Sequence, residues 1–181
     1  MNTAQTLDSS LELKSIVQEK YGAIAEQSAN GCGPACGCGP ASSAISISTD
    51  SIMSEDYSAL QGYVADADLS LGCGIPTQFA NIKKGDTVVD LGSGVGNDAF
   101  VARAIVGNDG KVIGVDFTDA MIEKARKNNA KVGFANVEFV KGDIEAMPLE
   151  NNIADVIVSN CVLNLVPNKH AAFSEIFRVL K

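Results

Sequence analysis

The sequence predicts an α/β fold, a mainly parallel sheet with helices on both faces. Three observations predict it. From residue 87 onward, short β-branched runs alternate with amphipathic stretches of about ten residues, as in βαβ units. A glycine-rich turn, Gly92 to Gly96, separates the first run from the first of those helices. Acidic residues stand at or just beyond the ends of the first three runs: Asp90, Asp116 and Asp143.

Residues 1–8 show no periodic pattern and are expected to fray. Ser9-x-x-Glu12 reads as a capping box, and Leu13, Ile16, Val17 and Tyr21 follow at helical spacing. The pattern predicts an amphipathic helix over about 10–21, packed on the main domain. Residues 28–51 are rich in Gly, Pro and Ser and read as a loop. A short helix is expected near 54–63, with Ser54 as cap and Glu55 and Asp56 in its first turn. Leu71 to Pro76 is a tight turn with Cys73 between two glycines, and a short helix over about 77–82 is expected to follow.

The alternating region begins with a strand at Thr87–Leu91 and a helix over about 98–106. Gly107-Asn108-Asp109-Gly110 turns the chain into a second strand, Lys111–Asp116. Thr118 or Asp119 caps a helix reaching about Asn129. A third strand is expected at Val137–Val140, a fourth at Ala154–Asn160, and a helix over about 168–180 after Pro167.

Composition narrows the function. With 46% hydrophobic residues in 181, the chain can bury a core without staples. Its 14 basic and 22 acidic residues give a net charge of −8, which argues against nucleic acid and against anionic lipid as partners. No apolar run approaches the roughly 18 residues of a membrane span. The first residues lack the basic start and apolar stretch of a signal peptide, so a cytoplasmic location is expected. The single histidine, His170, rules out a multi-histidine metal site and reads as a helix-start residue.

The five cysteines are Cys32, Cys36, Cys38, Cys73 and Cys161. An odd number without an export signal reads as a thiol protein and not a disulfide scaffold. Cys-Gly-Pro-Ala occurs twice, at 32–35 and 38–41. No Lys or Arg stands between Lys20 and Lys83, so four of the five thiols lack a basic neighbour in sequence. A thiolate is favoured by nearby positive charge, so a ligand of these thiols must itself displace their protons. Each cysteine also has a plainer reading: Cys161 as a small buried residue, Cys73 as an incidental loop thiol, and the 32–38 cluster as a zinc site or a tail without function. The spacing Cys-x3-Cys-x-Cys is not that of a normal four-ligand zinc site.

The glycine turn reads Asp90-Leu91-Gly92-Ser93-Gly94-Val95-Gly96-Asn97-Asp98. Its spacing is G-x-G-x-G, and Asn97 stands where a dinucleotide fingerprint would have its third glycine. Glycines there let the backbone approach a ligand and expose amides at a helix N-terminus. Asp116, 24 residues after Gly92, ends the second strand where ribose hydroxyls would sit. The alternative is a Rossmann-like domain with ordinary turn acids.

These residues, with Gly114-Val115-Asp116 and Gly142-Asp143, resemble the motifs of class I S-adenosylmethionine-dependent methyltransferases over about residues 60–181. The resemblance implies a Rossmann-like sheet and S-adenosyl-L-methionine as cofactor. Gly92, Gly94 and Gly96 would line its methionine portion, with Asp90 and Asn160 helping to hold that end. Asp116, next to Phe117, would bind the ribose hydroxyls. Asp143 would accept from the adenine amino group, with Ile144 beside the ring. The domains expected are 1–60, an N-terminal helix and cysteine loop, and 61–181, a partial methyltransferase domain.

A narrower resemblance is to arsenite methyltransferases. It rests on Tyr21-Gly22, the Cys/Gly/Pro loop, Leu69 to Pro76, Asp116 to Met121, and Ser159-Asn160-Cys161-Val162-Leu163-Asn164-Leu165. It implies that Cys73 and Cys161 ligate trivalent arsenic and act in catalysis. One of Cys32, Cys36 and Cys38 would serve as a further ligand or thiol relay, with a glutathione- or thioredoxin-type reductant as partner. The chemistry suits the composition. Trivalent arsenic is soft and favours thiolate sulfur. Its lone pair is the nucleophile, so no general base is required. Members of that family continue past a position equivalent to Lys181 into a further strand and another arsenic-ligating cysteine. The chain is therefore expected to be C-terminally truncated, with little methyl transfer by these residues alone. Two other functions compete: methyl transfer to a small organic acceptor, and a catalytically incomplete thiol-based metalloid-binding module.

Overall fold

The computed structural model describes residues 3–27 and 55–181. The helices are α1 (Thr3–Gln27), α2 (Asn97–Val106), α3 (Asp119–Val132) and α4 (Lys169–Val179). The strands are β1 (Thr87–Leu91), β2 (Lys111–Asp116), β3 (Val137–Lys141) and β4 (Val156–Ser159). They form one parallel sheet in the order β3-β2-β1-β4. The order reverses between β1 and β4, so a crevice opens at the carboxyl ends of the strands.

Strand alternation assigns the two faces. Val88, Val112, Val137 and Val158 point to one side and pack with Phe100, Met121 and Ile122 of α2 and α3. Val89, Leu91, Ile113 and Val115 point to the other and pack with Ala172 and Val179 of α4 and with Ile144. Val88, Val89, Leu91, Val112 and Val115 are fully buried, each worth about 1.5–3 kcal/mol relative to exposure. Phe100 meets Phe139 edge-on at 5.7 Å between ring centres, which closes the first core beneath the glycine turn.

Helix α1 is longer than its periodicity predicts. It begins at Thr3, where fraying is expected, and runs through Gly22 to Gln27. Tertiary contact carries it past the glycine: Ala25 is buried, and Lys124 Nζ donates to the Ala25 carbonyl at 3.3 Å. The helix expected at 54–63 is not formed over its described part, 55–63, which is a series of turns. Gly62 lies at φ +87°, and a Cβ there would stand 2.4 Å from the Phe100 carbonyl, so the chain must turn against α2. The expected helix at 77–82 shrinks to a 3₁₀ turn, Pro76–Gln78, ended before Asn81 at φ +52°. The Ser54 cap and the 28–51 loop with Cys32, Cys36 and Cys38 lie outside the described residues. After α4 the chain begins to pair beside β4, with Lys181 N–H donating to the Ala154 carbonyl at 3.0 Å, so that part of the edge is covered.

Candidate functional site

The glycine turn is fastened to β2 before it reaches α2. Gly92 N–H and Ser93 N–H both donate to the Val115 carbonyl, at 2.7 and 3.1 Å. The three glycines serve different ends. A Cβ on Gly92 would stand 2.2 Å from Val162 Cγ2, and one on Gly96 would press on Phe139 and Phe100. Those two positions are small because side chains pack against them. Gly94, at φ +52°, has no such neighbour nearer than Met121 Sδ at 4.0 Å, and it faces the crevice.

The crevice holds a pocket whose walls carry five acids, Asp68, Asp90, Asp98, Asp116 and Asp143. Asp116 Oδ2 accepts from Gly94 N–H at 3.0 Å and Oδ1 from Thr118 N–H at 2.8 Å. The Thr118 side chain and the Phe117 N–H also stabilise its charge. Asp90 is buried, and its proton affinity is well above the usual carboxylate range, first from loss of water and then from repulsion by Asp98 and Asp116. Burial likewise raises Asp98, against hydrogen bonds from Asn160 and Tyr57 that stabilise its charge. Burial raises Asp116 too, against the N–H groups of Thr118 and Gly94. Three carboxylates crowded out of water are a site for a cationic ligand, which would relieve all three.

Two residues of the wall also carry buried polar atoms. Ser93 Oγ and Asn97 Oδ1 are buried without a protein partner, and both residues line the pocket. A ligand carrying a cation and several N–H or O–H donors would satisfy the carboxylates of the wall. The ammonium, sulfonium, ribose hydroxyls and adenine amine of S-adenosyl-L-methionine are such a set, so the donor chemistry fits.

All but two of the site residues expected from sequence within the described segments line this pocket, the exceptions being Gly96 and Cys73, which is joined to Cys161. Asp90, Gly92, Gly94, Asp116, Phe117, Asp143, Ile144, Asn160 and Cys161 line it, while Gly96 lies behind it under the two phenylalanines. Asp143 is already engaged: Oδ1 accepts from Glu145 N–H at 2.9 Å, and Oδ2 lies 2.5 Å from Lys14 Nζ.

Asn160, just past β4, reaches across the pocket's end. Its Nδ2 lies 2.9 Å from the Gly74 carbonyl, 2.9 Å from Asp98 Oδ2 and 3.1 Å from the Tyr57 hydroxyl. Its Oδ1 accepts from Cys73 N–H. Cys73 and Cys161 come together there as a disulfide, with Cα atoms 6.1 Å apart. Cys161 occupies the left-handed region at φ +57°, which a non-glycine residue adopts only when its surroundings impose it. Among the described residues no cluster of three His, Cys, Asp or Glu side chains could hold a metal ion, and no helix is long and apolar enough to cross a membrane.

Sequence reasoning missed Lys14, Tyr57, Asp98 and Thr118. Asp98 sits directly after the glycine turn and was legible as a fourth acid. Lys14 sits three and seven residues before Val17 and Tyr21, on the face that meets the pocket. Tyr57 gives no signal in sequence, because its partners come from three other segments.

A family model described as a methyltransferase domain matches residues 82–181. The arsenite methyltransferase of Halobacterium salinarum is 41% identical over 183 aligned residues, covering 94% of this chain and 45% of that protein. The human arsenite methyltransferase is 41% identical over 121 residues, 61% of this chain and 31% of that protein. The chain thus spans less than half the length of these relatives. The crystal structure of an arsenic(III) S-adenosylmethionine methyltransferase from Chlamydomonas reinhardtii is 43% identical, covers 60% of this chain and 39% of that one, and superposes with a TM-score of 0.55.

Proposed function

Because the chain belongs to the methyltransferase-domain family, with S-adenosyl-L-methionine as cofactor, we propose that it methylates trivalent arsenic held by the thiolates of Cys73 and Cys161. The observation that carries this reading is the meeting of those two sulfurs at the Asn160 end of the pocket, beside the buried acids. The similarity to arsenite methyltransferases supports it.

The residues have separable tasks. Asp116 would hold the ribose hydroxyls, and Asp143 the adenine amine with Ile144 beside the ring. Asp90 and Asp98 would face the charged methionine end, with Gly94 leaving room for it. Bound there, the cofactor supplies an electrophilic methyl group on a sulfonium, open to the lone pair of thiolate-held arsenic. The disulfide must first be opened. Two equivalents of a small thiol reduce it to two thiols and leave as their own disulfide. Arsenous acid then condenses with the two thiols, forming two arsenic–sulfur bonds and releasing two waters. A third sulfur would come from Cys32, Cys36 or Cys38, or from the small thiol. The need for reduced thiols favours a reducing, cytoplasmic setting. Neutral arsenous acid needs no cationic patch, and the acidic wall serves the cofactor. Catalysis would rest on alignment and exclusion of water.

Arsenic X-ray absorption on the reduced protein tests this. Sulfur ligation is expected in the wild type and should fall in Cys73→Ser and in Cys161→Ser. If both variants keep the wild-type sulfur count and affinity, these two residues are not the ligands.

A further inference from the structure

Lys14 lies outside the segment matched by the family model, yet it enters the pocket. Its ammonium is 2.5 Å from both Asp143 Oδ2 and Glu145 Oε2. Glu145 Oε1 in turn accepts from Asn168 N–H at 2.7 Å, and Asn168 caps α4. One lysine therefore joins α1, the loop after β3 and the start of α4. The contact is not a chance meeting of exposed chains. Lys14, Val17 and Tyr21 fall on one face of α1 and all line the pocket. Gln18, on the same side, donates to the Phe117 carbonyl at 3.1 Å. Tyr21 packs into the core formed with α2 and α3. The helix is thus fixed across the pocket by Lys14, Gln18 and Tyr21.

We propose that Lys14 is a positioning residue of the cofactor site, holding the Asp143 carboxylate toward the adenine end so that α1 and the sheet build that end jointly. The proposal rests on the reading of Asp143 as the adenine acceptor. Lys14 takes one lone-pair direction of Oδ2 and leaves another for the exocyclic amine. Without the ammonium, Asp143 and Glu145 would be two neighbouring negative charges with no cation between them. Repulsion would then swing Asp143 out of place. Burial works against the Lys14 charge, but its hydrogen bonds to Asp143 and Glu145 outweigh it and hold the ammonium above the usual lysine range.

Calorimetric titration with S-adenosylhomocysteine tests the proposal without turnover. Lys14→Met should weaken binding about tenfold, the loss of one charge-assisted contact. Lys14→Arg should restore most of it. Asp143→Asn should weaken binding by itself, and in that background Lys14→Met should cost less than about twofold, because the two act as one unit. If Asp143→Asn binds as the wild type does, the adenine reading fails and the proposal with it. If Asp143→Asn weakens binding while Lys14→Met binds equally or more tightly, only the Lys14 proposal falls. An undiminished Lys14→Met effect in the Asp143→Asn background also overturns it, since the lysine would then act elsewhere.

Discussion

The side-chain carbonyl of Asn160 accepts the main-chain N–H of Cys73 at 3.0 Å, across 87 residues of chain. The same side chain donates to Asp98, a wall of the cofactor pocket, and its own main chain leads directly into Cys161. One amide therefore fixes both thiol-bearing turns relative to the buried acids.

Asn160→Ala should loosen that junction. It leaves Asp98 with the Tyr57 hydroxyl alone, at about 1–3 kcal/mol for a buried carboxylate that loses a donor, and removes the acceptor of the more exposed Cys73 amide. Affinity of the reduced protein for phenylarsine oxide and for S-adenosylhomocysteine should both fall, by calorimetry. Asn160→Asp should be worse for the cofactor, because it sets a new carboxylate against Asp98. Wild-type affinity for both ligands in Asn160→Ala would remove Asn160 from the site.

The glycine turn yields a comparison of two single methyl groups. Gly92→Ala puts its Cβ into Val162 in a left-handed conformation, so the cost combines overpacking and strain, about 2–4 kcal/mol. Gly94→Ala carries the backbone strain alone, about 1–2 kcal/mol, and its methyl enters the pocket. Chemical denaturation should therefore rank Gly92→Ala as less stable, and cofactor titration should rank Gly94→Ala as the weaker binder. Adding Val162→Ala should recover part of the Gly92→Ala loss. Equal stability of the two single variants would contradict this division.

The sheet was legible because each strand is a local pattern. Thr87–Leu91 and Lys111–Asp116 agree residue for residue, since β-branched runs between glycine turns admit few other foldings. The 54–63 and 77–82 stretches were misread because their turns are set by contacts outside them, Gly62 against the Phe100 carbonyl being one. The same distinction holds at the site. Asp90, Asp116 and Asp143 stand at strand ends, so topology alone brings them together. Lys14 reaches the pocket, and Tyr57 reaches Asp98 and Asn160 at its end, through packing of segments that no local spacing joins, and nothing near them in sequence marks a ligand.

Asp116 supports the turn as well as the ligand, through its bonds to Gly94 and Thr118. Asp116→Ala removes both, along with two charge-assisted bonds expected to the ribose, each about 1.5–3 kcal/mol. Cofactor affinity should fall by at least about tenfold. Asp116→Asn, which can still accept from one of the two N–H groups, should bind with intermediate affinity. Calorimetry on variants shown to be folded decides it, and an unchanged affinity in Asp116→Ala would mean the ribose is held elsewhere.

Asp90 sets stability against binding. Its buried carboxyl takes up a proton more readily in the folded chain than in the unfolded one, because of burial first and then repulsion from Asp98 and Asp116. A raised acid contributes stability that is fully present below its unfolded value of about 3.9 and is lost as pH rises through the folded value. Asp90→Asn has no charge to bury and still offers an oxygen to the Ala99 N–H. The variant should therefore be more stable than the wild type near pH 8, by about 0.5–2 kcal/mol, and unfold at a higher temperature, with the gap closing toward pH 4. Asp98 and Asp116, raised by the same burial, should leave the variant with a gentler slope of the same sign. The cofactor reverses the ranking. A cation in the pocket favours ionised Asp90, so the variant should bind S-adenosyl-L-methionine more weakly near pH 8, with the difference shrinking as the wild-type carboxyl takes up its proton. Thermal unfolding across that pH range, with and without cofactor, measures both. A variant less stable than the wild type at every pH would show that the Asp90 charge is compensated within the folded chain and does not await a ligand.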